Sequence, residues 1–177
     1  MLNEQPLYKV LIINVILGII WHISMLFICV AKNTSSFSPE KRLYRPHKWE
    51  KGGKIYSDIL KINRWKDLLP QHIGKNGFSK EHLDTVSIEY LDNFILETCR
   101  GEWNHTMNCT FAFVLFLLNN ALIALILSLL LILGNLPFII IQRYNRFRLQ
   151  KLRTILLKRN TQHRTAKEPA ASQNIGS

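Results

Sequence analysis

The sequence predicts an all-α integral membrane protein with an N-terminal anchor helix, amphipathic interfacial helices and a C-terminal transmembrane helical hairpin. Three observations carry this expectation. Val10 to Ala31 holds no charge over 22 residues. Trp103 to Gln142 holds no Lys, Arg, Asp or Glu over forty. The polar segments around these runs carry apolar residues at helical spacing.

A chain of 177 residues has room for one compact unit. Its net charge of +11 is unevenly spread: residues 1–31 are neutral, 32–105 carry +3 and 106–177 carry +8. Such asymmetry suits nucleic acid or an anionic membrane face. The two apolar runs decide for the lipid bilayer and against nucleic acid, which has no use for them. Cys29, Cys99 and Cys109 are irregularly spaced, so neither a disulfide framework nor a metal site is expected.

Residues 1–31 are expected to form a transmembrane anchor. The uncharged run spans about 33 Å as a helix, enough for ~30 Å of hydrocarbon. A signal-like segment is the rival, because Lys9 precedes the run. The run exceeds the roughly 7–15 residues of a usual signal core and ends without a small-x-small cleavage site, which favours an uncleaved anchor.

Residues 32–102 are expected to be a cytoplasmic, interfacial helical region. It begins as a Pro-punctuated loop from Asn33 to Gly53. Ile55, Ile59, Ile62, Trp65 and Leu69, with Asp58, Lys61, Arg64 and Lys66 between them, predict an amphipathic helix ending at Pro70. Its apolar face packs on a core or lies in the membrane interface with Trp65 at headgroup depth; the flanking anchors favour the interface. Gly74 to Phe78 is read as a connector, and Ser79 as an N-cap with Glu81 in the first turn. A second amphipathic helix follows, with Leu83, Val86, Tyr90, Phe94 and Ile95 on one side. It runs through Glu97, Thr98, Arg100 and Glu102 into the long apolar stretch.

That stretch, 103–142, cannot be one crossing, since forty helical residues span about 60 Å. Asn119-Asn120 is the polar pair within it and the natural turn of a hairpin. Its first arm, Trp103–Leu118, is short at about 24 Å and must tilt, dip in or thin the bilayer. The hairpin returns the chain to the side it left. Both flanks are basic, so that face is cytoplasmic and the N-terminus lies outside. Residues 143–159 predict a basic juxtamembrane helix, with Leu152, Ile155 and Leu156 among Lys151, Arg153, Lys158 and Arg159. Attraction to anionic lipid favours docking over a solvated charge run. Residues 160–177 are expected to be a disordered tail.

One junction concentrates chemistry. On a helix Glu97 and Arg100 are three apart, as are Glu102 and His105, so each pair can touch. A carboxylate beside His105 suits a general base, because it fixes the tautomer and stabilises the imidazolium. The plainer alternative is an ordinary ion pair beside an interfacial histidine. No G-x-S-x-G, P-loop, H-E-x-x-H or G-x-G-x-x-G is present. His22 lies within the anchor, where a polar residue is a functional hypothesis, although a neutral His facing a neighbouring helix explains it simply. The glycosylation sequons at Asn33, Asn104 and Asn108 are read as chance.

Four strings occur in a family's order and spacing. They are Glu50-Lys51-x-Gly53-Lys54; Arg64-Trp65-Lys66; Glu97-Thr98-x-Arg100-x-Glu102-x-x-His105; and Asn135-x-Pro137 running into Gln142-Arg143-Tyr144-Asn145-Arg146-x-Arg148-Leu149. They resemble the glycosyl-4,4'-diaponeurosporenoate acyltransferases of staphyloxanthin-type carotenoid biosynthesis. The resemblance implies a bacterial cell-membrane enzyme that transfers a fatty acyl group to a sugar hydroxyl of a glycosylated carotenoid. It favours His105 as catalytic base, with Glu102 as its orienter and Glu97 as a third catalytic candidate. Arg100, Arg143, Tyr144, Asn145, Arg146, Trp65 and Lys66 become candidate substrate-binding residues, Arg100 or Arg143 for charge on the donor. The donor is acyl-CoA or acyl-carrier protein, with no metal or held cofactor expected. Two alternatives stand beside it: acylation of another glycolipid, and a non-catalytic membrane scaffold.

Overall fold

The computed structural model describes residues 5–69 and 87–172, with side chains through Gln162. The described residues form helices and turns, with no strand among them. Helix α1 spans Leu7–Ala31 and α2 Lys54–Asp58; then come α3 (Ile88–Cys109), α4 (Phe111–Leu118) and α5 (Ala121–Ser172). Short 3-10 turns at Thr34–Phe37, Lys48–Gly53, Ile62–Arg64 and Lys66–Leu68 build the rest of the segment after α1.

The hairpin turns where its polar pair predicts. Helix α4 ends at Leu118 and α5 begins at Ala121. The side-chain oxygen of Asn120 accepts the Ile123 N–H at 3.0 Å, which caps the new helix. Asn119 exchanges two amide hydrogen bonds with Asn14 of α1, at 2.9 and 3.0 Å. Between apolar helices such a pair satisfies both amides and fixes the depth of α1 against the hairpin. Further along, Trp21 Nε1 donates to the Met107 carbonyl at 3.4 Å and its ring meets Phe111. Cys29 Sγ donates to the Arg100 carbonyl at 3.7 Å. Helix α1 therefore runs antiparallel to α3 and α4, with its C-terminal end at the polar end of the bundle.

Burial is inverted relative to a soluble helix. Of the 25 residues of α1 only Val10, Asn14 and Cys29 are buried, while Ile19, Phe27 and Val30 face outward. On α5, Leu122, Leu130 and Leu133 do the same. Both helices are long and apolar enough to cross a membrane.

One expectation is corrected. The amphipathic helix over 55–69 does not form. Helix α2 stops at Asp58, and Lys61 takes a left-handed φ of 47° that no helix tolerates. Tertiary packing overrides the pattern: Ile62 is fully buried with Tyr56, Ile141 and Tyr144, while Ile59, on the predicted stripe, is exposed. The basic stretch after Gln142 continues α5, and Leu149 and Leu156 pack on Leu91 and Ile95 of α3. Leu156 is thus buried against α3, while Ile155 on the same stretch stays 52% exposed. The backbone of α5 is helical through Ser172. Helix α3 begins at an N-cap, Ser87, whose hydroxyl accepts the Tyr90 N–H. The connector at 74–78, the Ser79 cap with Glu81, and Leu83 and Val86 lie outside the described residues.

One turn shapes the polar end. Lys51, Gly52 and Gly53 all have positive φ, and a Cβ on Gly53 would lie 3.0 Å from the Phe147 side chain. Gly53→Ala is expected to cost about 1–3 kcal/mol. Gly52→Ala, with nothing within 4 Å of its Cβ, should cost less. Thermal unfolding of the two variants checks the order.

Candidate functional site

Two layers of polar side chains lie where α3 and α5 meet. The first is a buried charge cluster. Arg143 and Arg146 are three residues apart on α5, so they share one face. Glu102 reaches them from α3, and the left-handed turn after Glu50 brings that carboxylate in from the polar segment. Arg143 Nε and Nη2 grip Glu50 at 2.7 and 3.0 Å, and Nη1 donates to Glu102 at 2.6 Å. Its two remaining N–H groups donate to the Leu43 and Arg45 carbonyls at 3.3 and 3.1 Å. All five guanidinium N–H groups are thereby used. Arg146 donates to the second oxygen of Glu102 and to Cys99 Sγ, and stacks over Tyr44. Two cations and two anions balance, which is what allows them to be buried.

Burial by itself would raise the Glu50 carboxyl, but the Arg143 guanidinium, the His47 N–H and the Tyr56 hydroxyl together hold it below the usual carboxylate range. Burial also pushes the Tyr44 hydroxyl up to about 12. With the folded pKa of Glu50 depressed, its stabilisation is complete above an unfolded value of about 4.3 and is lost as pH falls through the folded value. Unfolding midpoints are expected to drop on acidification below about pH 4, and less steeply in Glu50→Gln. Equal slopes in the two proteins would remove Glu50 from the account.

The second layer is His105, one turn of α3 deeper into the apolar stretch than Glu102. Asn135 Nδ2 donates to the Leu131 carbonyl at 3.0 Å, so its Oδ1 is the group presented to His105 Nδ1, also at 3.0 Å. A carbonyl oxygen only accepts, so Nδ1 carries the proton and Nε2 the lone pair. The ring stacks flat on Phe138, with centroids 4.8 Å apart. Nε2 has no hydrogen-bond partner among the described residues. His105 is thus held as a neutral base with its basic nitrogen free. His22 Nδ1 of α1 donates to the Gly18 carbonyl at 2.9 Å. The carbonyl makes it a donor.

The expected residues are not all brought together. Glu102 does not orient His105, because both its oxygens are taken by guanidinium groups, whose full charge outbids a neutral imidazole. Asn135 holds His105 instead. Glu97 pairs with Arg100 at 2.8 Å at the solvent side, more than two turns from His105, and the Arg100 guanidinium lies over Phe37. Arg143 has no N–H left for an acyl donor. Tyr144 donates to Asn63 at 2.8 Å and packs with Trp65, whose indole N–H bonds the Leu60 carbonyl. Lys66 pairs with Asp67, and Asn145 is buried. Residue pattern alone gives Glu50 and Asn135 no role at the site. The signal was their place inside matched strings. Among the described residues no group of three His, Cys, Asp or Glu side chains could hold a metal ion.

A family model described as glycosyl-4,4'-diaponeurosporenoate acyltransferase matches residues 40–155, which include Glu50, Glu102, His105, Asn135, Arg143 and Arg146. A protein of that name from Staphylococcus aureus strain MRSA252 is 30% identical over 129 residues, covering 72% of this chain and 78% of its own length. The strain N315 protein is 30% identical over 123 residues, covering 68% and 74%. No solved structure matches the chain. By sequence across both layers of the site, the chain belongs to the glycosyl-4,4'-diaponeurosporenoate acyltransferase family.

Proposed function

We propose that the chain is a membrane-bound O-acyltransferase. It moves a fatty acyl group from a thioester donor to a sugar hydroxyl of a glycosylated carotenoid, the final step of a staphyloxanthin-type pigment. The observation that carries this reading is His105, held by Asn135 in the tautomer that leaves Nε2 basic. Family membership supplies the reaction class.

The geometry suits such a reaction. The outward apolar faces of α1 and α5 support a bundle that sits in the cell membrane, and the basic flanks favour a cytoplasmic side for the charge cluster. His105 lies about 4.5 Å further along the axis than Glu102, a depth that a lipid-borne sugar reaches from the headgroup layer. His105 Nε2 takes the hydroxyl proton as the oxygen attacks the thioester carbonyl. A tetrahedral oxyanion forms, and its collapse makes the ester and releases the thiolate, which His105 reprotonates. The donor is acyl-CoA or acyl-carrier protein.

Protein reconstituted in nanodiscs is expected to form ester from glycosyl-4,4'-diaponeurosporenoate with one of these two donors, read by mass spectrometry. No ester with either donor would overturn the reading. Ester on a carotenoid-free glycolipid alone would move the acceptor to another glycolipid.

A further inference from the structure

Two amides beside His105 are left unmatched by the fold. Asn108 is 2% exposed, and its buried Oδ1 has no hydrogen-bond partner. One turn earlier, the Oδ1 of Asn104 is also buried without one. Buried side-chain oxygens are nearly always satisfied, so two orphans at i and i+4, flanking a candidate base, call for a partner from outside the chain.

Their direction follows from helical geometry. At about 100° per residue, Arg100, Met107 and Phe111 form the strip of α3 and α4 that touches α1. His105 faces α5, as does Gly101, where a Cβ would lie 2.8 Å from the Gln142 side chain. Asn104 and Asn108 fall at the angles between these strips. Both amides therefore look into the seam between α1 and α5, on the same side as the edge of His105. The seam thus offers three polar positions, Asn104, His105 and Asn108, over about 6 Å of helix axis. That is comparable with the width of one sugar ring, whose neighbouring hydroxyls both donate and accept.

We infer that Asn104 and Asn108 are specificity-determining residues that hold hydroxyls of the acceptor's sugar. The inference rests on the reading of His105 as the centre of acyl transfer. Either setting of an amide can serve a hydroxyl, since the oxygen accepts and the NH2 donates. A lipid alcohol without a sugar would leave both amides unpaired, and sites built to bond a hydroxyl discriminate strongly against ligands that lack it. The pair also orients one hydroxyl towards His105 Nε2 by holding its neighbours.

Binding tests this without requiring turnover. Radiolabelled dodecyl β-glucoside and dodecanol are titrated onto the full chain in nanodiscs, with empty nanodiscs subtracted. Wild-type protein is expected to prefer the glucoside, and Asn108→Leu to weaken glucoside binding about tenfold or more while leaving dodecanol unchanged. Asn104→Leu, at a less buried position, should do the same and serves if Asn108→Leu fails to fold. Unchanged glucoside binding in a folded variant overturns the inference, as does a wild-type protein that binds both ligands equally. Glucoside binding that depends on the amides, in a protein that forms no ester, would keep the sugar site and reject the transfer reading instead.

Discussion

His105→Ala is expected to lower the rate of ester formation by about 10²- to 10⁴-fold, the range general base catalysis contributes. The expectation rests on geometry rather than on the presence of a histidine. His105 Nδ1 is committed to Asn135, and Asn135 is itself held by the Leu131 carbonyl, so the proton is placed and Nε2 left basic. Phe138 holds the plane of the ring. Asn135→Ala should give a smaller loss, because the imidazole survives but its tautomer and orientation are no longer imposed. Neither change removes a charge from the buried cluster, so both variants should unfold at close to the wild-type temperature. Ester yield at fixed time, read beside a thermal melt, separates lost chemistry from lost fold. Undiminished ester from a folded His105→Ala protein would remove His105 from the reaction.

Arg143→Met is expected to act on stability, by about 3–5 kcal/mol, the cost of removing one partner from a buried ion pair. Glu50 is fully buried and Glu102 is 4% exposed, so both carboxylates would stay inside, Glu102 with Arg146 alone and Glu50 with no guanidinium at all. Against a total of about 5–15 kcal/mol, such a loss reaches the yield of folded protein. Arg143→Lys should recover little. An ammonium is a single charge centre and cannot span Glu50, Glu102 and two backbone carbonyls. Adding Glu50→Gln to Arg143→Met should restore part of the loss, because the second change removes an uncompensated charge. Melting temperatures of the single and double variants measure the coupling. A folded Arg143→Met protein that melts like wild type but no longer takes the acyl donor would return Arg143 to the donor-binding role its sequence context suggests.

How far the sequence was legible depended on whether the signal was local. The Asn119-Asn120 break was legible because two adjacent amides interrupt a forty-residue uncharged run between its two most apolar stretches, and a capped turn satisfies them. The passage of α3 from Glu97 into the apolar run was legible for the same reason. The helix expected over 55–69 was not. Its spacing of apolar residues is sound, but Ile62 and Tyr56 gain more by packing on α5 than the segment gains by finishing a helix. At the site, the spacing of Glu102 and His105 allowed a contact that charge then vetoed. The basic residues Arg143 and Arg146 looked like a surface for ligands, because a run of arginines does not state which face is covered.

By itself the sequence determined the all-α class, the two long apolar helices and the turn between the hairpin arms. These depend on helix rise, hydrophobic solvation and neighbouring residues, all of which are written along the chain. Only the tertiary structure decided which groups hold one another at the site. Glu102 meets an arginine 41 positions away, and Glu50 meets the same arginine across 93. Electrostatic partners are chosen by distance in space and by shared burial, and neither quantity exists until the helices have packed.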